Sequence, residues 1–265
     1  MSFQPDFLWY KSRGDSYHHG LQDSVRGVGK SLSTSRNDIA EQTETTGLDD
    51  FTSNGFDLDG QGFYFINTNN DPMVGWAWDA GNLVASSSFH QSQTWSSATL
   101  SDGTDLANLF DGDLSTSAKQ STNGTAASIT NFGPISVSST VSFYSPDGDA
   151  RYTLNGGTEQ SFTGAGWHDI SFTGTLTSFT FQGPGNARIF IFGMKVDNKQ
   201  LVDPGHIPAD SISSGVPSIA SYVRANQSAG FSIVTYTGNG TSGATVGHGL
   251  NAKPDLLIVK NRARS

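Results

Sequence analysis

The side chains of this sequence that could take part in chemistry do not form a recognised catalytic motif. Gly-x-Ser-x-Gly, His-Glu-x-x-His and a phosphate-binding loop are missing, and these are signatures of esterases, zinc peptidases and nucleotide-binding enzymes. Cysteine is absent, so disulfides, thiolate metal sites and a cysteine nucleophile are excluded. We therefore expect a protein that is not an enzyme.

Aspartates and histidines form the arrangements that come nearest to a reactive site. A glycoside hydrolase needs two carboxylates that face one bond, and four aspartates lie between residues 49 and 59. Aspartate is frequent in glycine-rich turns, so such groups arise without a catalytic role. His18 and His19 are adjacent, and neighbouring residues of a strand point to opposite faces, which makes joint binding of a metal ion awkward.

Aromatic residues offer a different chemistry, the stacking of a ring against a sugar. Sugar-binding sites commonly use an exposed ring that is flanked by polar groups, and Trp95 and Trp167 both lie beside polar, loop-like sequence. We therefore select Trp95 and Trp167 as the candidate ligand-binding residues. Trp76 and Trp78 belong to an alternating segment, so we expect them to lie in a core.

The elements that position these residues are predicted to be short β-strands. The chain of 265 residues contains 31 glycines, 35% hydrophobic residues and only 15% charged residues, a composition typical of strands joined by tight turns. The net charge of −9 argues against a nucleic-acid-binding surface. No apolar run is long enough for a membrane span, so we expect no membrane insertion. The predicted fold class is all-β, an antiparallel β-sandwich or jelly roll.

The spacing of turn signals divides the chain. Between residues 84 and 203 they recur every eight to twelve residues, which indicates a sandwich or jelly roll. Residues 204–229 are rich in proline, serine and glycine and are interpreted as a connector, with one or two helical turns at Ser218–Ala225. The polar stretch 29–46 is predicted to be a long loop.

A short internal repeat relates the two ends of the sequence. Residues 5–16 and 254–265 share Pro, Asp, Leu, Lys, Arg and Ser in register, and their intervening apolar positions stay apolar. The repeat suggests the later part of one module at the start of the chain and the beginning of another at its end. We expect equivalent strands, in which corresponding side chains face the same way. The corresponding positions are Leu8 with Leu257 and Tyr10 with Val259.

Segments near both ends carry a further pattern, which consists of Pro5–Arg13, Asp23–Gly27, Val74–Gly81, Gly230–Gly240, Val246–Leu250 and Pro254–Arg262. In this order they resemble a repeat module of structural proteins from marine bacteriophages, including phages of cyanobacteria. The resemblance implies a concanavalin-like (laminin G-type) sandwich, with a partial module at residues 1–83 and the start of a second at 230–265.

The middle segment resembles a different family. Asn108–Thr116 and the terminal strand Arg188–Val196, with the residues up to Asp203, are similar to the galactose-binding, discoidin-like jelly roll. The resemblance implies a jelly roll over residues 84–203.

The same resemblance implies a structural calcium ion in the Asp-Gly loop. Carried over by position, its ligands are Asp111, Asp113 and Thr116, and hard oxygen ligands suit calcium. The family usually adds a glutamate from the last strand, where this chain has Ile189–Phe192. The alternative is a turn in which Asp111 caps backbone amides.

Together these resemblances imply a structural and adhesion protein of a phage particle, a tail or head fibre component that is assembled in the bacterial host cytoplasm. The expected partners are other virion proteins, two further copies in a homotrimer and a glycan of the host surface. The alternatives are a free-standing carbohydrate-binding module and an enzyme that depolymerises surface polysaccharide.

Overall fold

The protein is all-β in the computed structural model, which describes residues 3–83, 89–146, 148–209 and 217–263. Its strands pair antiparallel in several sheets, and the predicted fold class, an antiparallel β-sandwich or jelly roll, is confirmed. No helix of the described ranges is long and apolar enough to cross a membrane. The strands are β1 Phe7–Ser12, β2 Gly20–Asp23, β3 Lys30–Ser33, β4 Gln42–Thr43, β5 Leu48–Thr52, β6 Gly55–Leu58, β7 Met73–Trp78, β8 Asn82–Leu83, β9 Thr99–Leu100, β10 Ala118–Lys119, β11 Ala127–Val137, β12 Thr140–Ser145, β13 Ala150–Leu154, β14 Gln160–Phe162, β15 Gly166–Ser171, β16 Gly174–Gln182, β17 Phe190–Ile191, β18 Gly193–Val196, β19 Lys199–Gln200, β20 His206–Ile207, β21 Ser221–Asn226 and β22 Phe231–Tyr236. The 3₁₀ helices of the described ranges are Trp95–Ser97 and Leu106–Leu109.

The chain forms two compact units. Unit 1 comprises Met1–Leu83, Tyr222–Thr235 and His248–Ser265, and unit 2 comprises Val84–Ser221 and Tyr236–Gly247. The predicted middle domain accounts for most of unit 2, although its first residues, 84–88, lie outside the described ranges. The predicted connector and the predicted second module are each divided between the two units.

Unit 1 is built on a five-stranded antiparallel sheet with the order β4-β3-β2-β1-β7. Residues of β1 alternate between the two sides of this sheet, and Leu8 and Tyr10 are 1% and 3% exposed. In a second group of strands, β21 pairs with both β8 and β22. The core on the buried side of β1 consists of Leu8, Tyr10, Leu48, Phe51, Tyr64 and Ile66.

Unit 2 has two larger sheets, ordered β14-β13-β16-β11-β9 and β15-β12-β18-β19. Side chains from both enter one core, in which Phe143 of β12 meets Phe179 of β16 at 4.9 Å between ring centroids. Asp197 and Asn198 join β18 to β19 with positive φ angles of 48° and 63°, the backbone that a two-residue hairpin turn requires. Two sheets that share one core form the expected sandwich.

Two local predictions are wrong. The stretch 29–46 is not one long loop, because β3 and β4 lie within it and Leu32 pairs with Leu21 and is buried. Ser218–Ala225 is not helical, because most of it belongs to β21, where burial alternates and Val223 is 0% exposed. In both cases pairing with a neighbouring strand overrides weak local sequence signals.

The two copies of the internal repeat differ in structure. Residues 254–260 form no strand, and Leu257 and Val259 are 77% and 63% exposed, whereas Leu8 and Tyr10 are buried. The prediction of equal facing is therefore wrong. Its physical reason is pairing: β1 lies between β2 and β7, and no strand of the described residues pairs with the later copy.

The later copy is nevertheless joined to the rest of unit 1 by hydrogen bonds before it and near its end. Before it, the Gln227 side-chain amide donates to the Gly249 carbonyl at 3.0 Å. Near its end, the Glu41 amide donates to the Arg262 carbonyl at 2.9 Å, and the Arg262 guanidinium donates to both carboxylate oxygens of Glu41.

Candidate functional site

A partly exposed aromatic surface covers the outer side of the β1–β7 strand pair. We call it the aromatic face, and it consists of Phe7, Trp9, Trp76, Trp78 and Phe231. Trp76 and Trp78 are 44% and 38% exposed. The Trp78 ring stacks on Phe231 at 5.9 Å, Phe7 meets both of these rings edge-on, and Trp9 lies 5.4 Å from Trp76. The rings brace one another and leave part of each β7 indole open to solvent.

The pairing of β1 with β7 decides which side carries the tryptophans. The register places Trp9 beside Trp76, and the core residue Tyr10 beside Gly75. Small residues of β7 thus face large core residues of β1, and the indoles of β7 turn outward. The expectation that Trp76 and Trp78 lie in a core is wrong, because β7 is an edge strand whose core side is filled from β1.

A polar group is fixed beside the rings. The indole Nε1 of Trp9 donates to Nδ1 of His19 at 3.1 Å, so His19 carries its proton on Nε2 when it is neutral. Burial, together with the positive charges of Lys11 and His18, holds the pKa of His19 below its ordinary value and favours the neutral ring. The aromatic face therefore has an oriented hydrogen-bonding group at its edge.

Trp95 lies in unit 2 and does not face a ligand. Its side chain is 1% exposed within the core, and its Nε1 donates to the His90 carbonyl at 2.6 Å. The expectation of a ligand-facing ring is therefore wrong for Trp95. Its polar sequence neighbours form a short 3₁₀ helix whose only buried residue is the tryptophan.

Trp167 lies on β15, at an edge of the four-stranded sheet of unit 2. Its ring is half-buried, with Tyr144 at 5.5 Å and the Lys195 ammonium 4.0 Å from the ring centroid. Lys195 thus covers one face of the indole through a cation–π contact. A role for Trp167 in ligand binding stays a prediction.

The Asp111 loop closes on itself. The Asp111 carboxylate accepts the Asp113 amide at 2.8 Å and the Thr116 hydroxyl at 2.7 Å, while Asp113 accepts both the amide and the hydroxyl of Ser115. These are the contacts of a capped turn, the alternative that the sequence left open. Burial raises the pKa of Asp111 to about 6, although the bonds from Thr116 and Asp113 act in the opposite direction.

This loop as folded does not fit a calcium site. Its side-chain oxygens point to donors of the same loop, whereas calcium needs six to eight oxygens that converge on one point. Over the described ranges of the chain, no group of three or more His, Cys, Asp or Glu side chains is placed to hold a metal ion. We derive no role from calcium.

The aromatic face lies in a part of the chain that is shared with a known family. The model of that family matches residues 1–130 and 208–265, which include all of the aromatic face and leave out Trp167. No curated protein and no solved structure matches the chain. Since the match covers well over half of the residues, the chain belongs to the family described as a domain of unknown function, DUF7483.

Proposed function

We propose that this chain is a structural and adhesion component of a bacteriophage particle, a piece of a tail or head fibre that contacts a host-surface glycan. The particle assignment is supported by the resemblance of both terminal regions to a module of phage structural proteins. The internal repeat adds no support, because its two copies differ in structure and in the facing of their side chains.

The adhesion role rests on one observation, the aromatic face. A sugar ring presents apolar C–H groups that stack on an indole, and its hydroxyls form hydrogen bonds at the edge of the stack. Trp76 and Trp78 supply open indoles, and His19 supplies a polar group beside Trp9. Partly exposed aromatic clusters of this kind typically mark a binding surface.

Assembly as a homotrimer forms part of the proposal. Within unit 1, β4 and β7 end the five-stranded sheet, so each presents backbone groups without a strand partner in that sheet. Open edges of this kind are sites of strand addition, and symmetric copies can cover them. The proposal includes a location in the virion, contact with other virion proteins and assembly in the host cytoplasm.

The particle assignment is tested by quantitative mass spectrometry of purified phage particles from an infected culture. We expect the chain at a fixed copy number relative to the capsid protein, and a trimeric mass for the isolated protein by light scattering. Its absence from washed particles would contradict the assignment. A monomeric mass would contradict the trimer.

The adhesion role is tested by binding of the full chain to an array of bacterial surface polysaccharides. We expect binding that falls about tenfold in Trp76→Ala, the loss of one stacked ring. Tyr236→Ala is the matched control, because Tyr236 is also 44% exposed but lies outside the aromatic face. The bound polysaccharide should release no reducing ends, and their release would identify a depolymerase instead.

A stand-alone carbohydrate-binding module is the second candidate, and the same aromatic face favours it. The two candidates differ in one result. A module that only binds sugar would retain the Trp76→Ala effect on glycan binding but would be missing from purified particles.

A further inference from the structure

A pocket in unit 1 lies outside the set of residues that form the aromatic face. It has a volume of about 500 Å³, and Tyr17, His18, Arg36, Phe63 and Phe65 contribute to its walls. Tyr17 and Phe65 stack nearly parallel, with centroids 4.0 Å apart, and Phe63 is 43% exposed. The volume lies in the ordinary range of small-molecule sites.

The backbone that carries these rings is strained. Phe65 adopts a φ of 58°, a left-handed conformation that is a genuine outlier for a bulky residue. The preceding turn is held by Glu44, whose carboxylate accepts the Phe63 amide at 2.6 Å and lies where a side chain on Gly62 would be. Strain that is maintained in this way is typical of ligand-binding segments.

The Arg36 guanidinium of the pocket wall is paired with a carboxylate, and the Glu44 carboxylate at the Gly62–Phe63 turn adds a negative charge. Arg36 donates from Nε and Nη2 to the two carboxylate oxygens of Asp38, at 2.9 and 2.5 Å. Hydrogen bonding from Arg36 holds the pKa of Asp38 at about 2, so the ion pair persists at neutral pH. His18 Nδ1 lies 3.1 Å from the Ser35 hydroxyl. Directional polar groups in which the guanidinium is already paired, beside the Glu44 carboxylate, favour hydroxyl groups over a phosphate or a carboxylate, which that negative charge repels.

We propose that this pocket binds one neutral hexose unit of the host glycan, with the exposed Phe63 ring against the sugar C–H face and the His18 and Arg36 side chains near its hydroxyls. The inference rests on the proposed carbohydrate-binding function and names the chemical class that the second site accepts. It adds a selective pocket to the broad stacking surface of the aromatic face.

The experiment is an NMR titration of the full chain with methyl glycosides of galactose, glucose and mannose. Glucuronic acid, galacturonic acid and inorganic phosphate are the charged probes. We expect a neutral glycoside to shift the amide signals of residues 62–66, and Phe63→Ala to weaken its binding about tenfold. His18→Ala, a change at an exposed side chain, should also weaken binding, whereas Tyr236→Ala should not.

Three results would overturn the inference of a hexose-binding pocket. Tighter binding of a uronic acid or of phosphate would show that the site selects charge. If polysaccharide binding depends on Trp76 but not on Phe63 or His18, the pocket inference fails and the proposed function stands. If the unmodified chain binds neither these monosaccharides nor any polysaccharide, both fail.

Discussion

Trp76 and Trp78 of unit 1 and Trp95 of unit 2 lie in opposite environments. In unit 1, Trp76 and Trp78 lie on an edge strand, 44% and 38% exposed, and pack against other rings on the outer side of a sheet. In unit 2, Trp95 is 1% exposed and its N–H is bonded to a backbone carbonyl. The sequence around each tryptophan suggests the reverse. The strand that lies opposite, rather than the immediate sequence neighbours, therefore decides whether an aromatic residue is available to a ligand.

Two partly buried carboxylates also differ between the units, in this case in their hydrogen-bond partners. Glu41 of unit 1 accepts hydrogen bonds from Arg26 and Arg262, and the Arg26 side chain is 3% exposed. The Asp111 carboxylate of unit 2 accepts the Asp113 amide and the Thr116 hydroxyl, both neutral donors of its own loop. The pKa of Glu41 is accordingly lowered and that of Asp111 raised, because only Glu41 is paired with cations.

The largest effect is expected for Trp95→Ala. Removal of this fully buried side chain leaves a cavity and one hydrogen bond fewer at the His90 carbonyl, which still accepts the Val202 amide, so unit 2 should lose about 3–5 kcal/mol of stability. Hydrogen exchange at the amides of β11 and β16 measures the loss. Trp95→Phe is the control and should lose less stability. Unchanged protection of these amides from exchange in Trp95→Ala would show that Trp95 does not lie in the core.

A smaller effect is expected at Asp111 and depends on pH. Its folded-state pKa of about 6 lies above the ordinary 3.8, so the folded state binds the proton more tightly and unit 2 gains stability as pH falls through this window. The gain is about 3 kcal/mol at most. Asp111→Asn should remove it, as unfolding measured between pH 7 and 4 will show. Identical pH profiles for both proteins would contradict the burial of Asp111.

Glu41 should show the opposite sign. Burial acts to raise its pKa, but hydrogen bonds from Arg262 and Arg26 outweigh burial and lower it. Its contribution is therefore present above the ordinary pKa of a glutamate and is lost as pH falls through the lower folded-state value. Glu41→Gln should destabilise unit 1 by about 2 kcal/mol at pH 7, the typical value of a charged hydrogen bond.

Hydrogen exchange at β1 and β2 amides measures this loss. Glu159→Gln is the matched control, because Glu159 pairs with Arg151 on an exposed surface, where ion pairs contribute little. Equal effects of the two changes would show that the contacts of Glu41 with Arg26 and Arg262 contribute no more to stability than an exposed ion pair does.

The smallest effect on stability is expected for Trp76→Ala. The ring packs on Trp9 but fills no core space, so the loss should be about 1 kcal/mol in β1 and β7 exchange. The difference in stability loss between Trp76→Ala and Trp95→Ala directly tests the contrast between an exposed and a buried tryptophan. A loss as large as that of Trp95→Ala would mean that Trp76 is structural and that the aromatic face is not free to bind a glycan.

Much of the fold is predictable from the sequence because turn chemistry is local. Asn155 and Gly156 form one of the turn signals between residues 84 and 203; they have positive φ angles of 52° and 66° and follow β13 directly. The strands within 29–46 and at β21 were not predicted, because their stability comes from partners that are distant in the sequence. Leu83, for example, pairs with Arg224.

The candidate site is less predictable than the fold. The alternation of Trp76 and Trp78 with Gly75 and Ala77 indicates a strand correctly, but it does not indicate which side is buried. That choice depends on the register with β1, a contact between residues more than 60 positions apart. The pocket depends on the left-handed Phe65, a conformation that no local propensity favours.

The segment Leu256–Val259 has a kinetic consequence. Its four side chains are 63% to 77% exposed, and these residues belong to no strand of the described part of the chain. A protease binds its substrate as an accessible chain without strand partners, so cleavage after Leu256 or Leu257 needs no prior unfolding. The cleavage rate will therefore follow protease concentration and not the opening of unit 1, while Phe7 and Leu8 in β1 are cut only when that sheet opens.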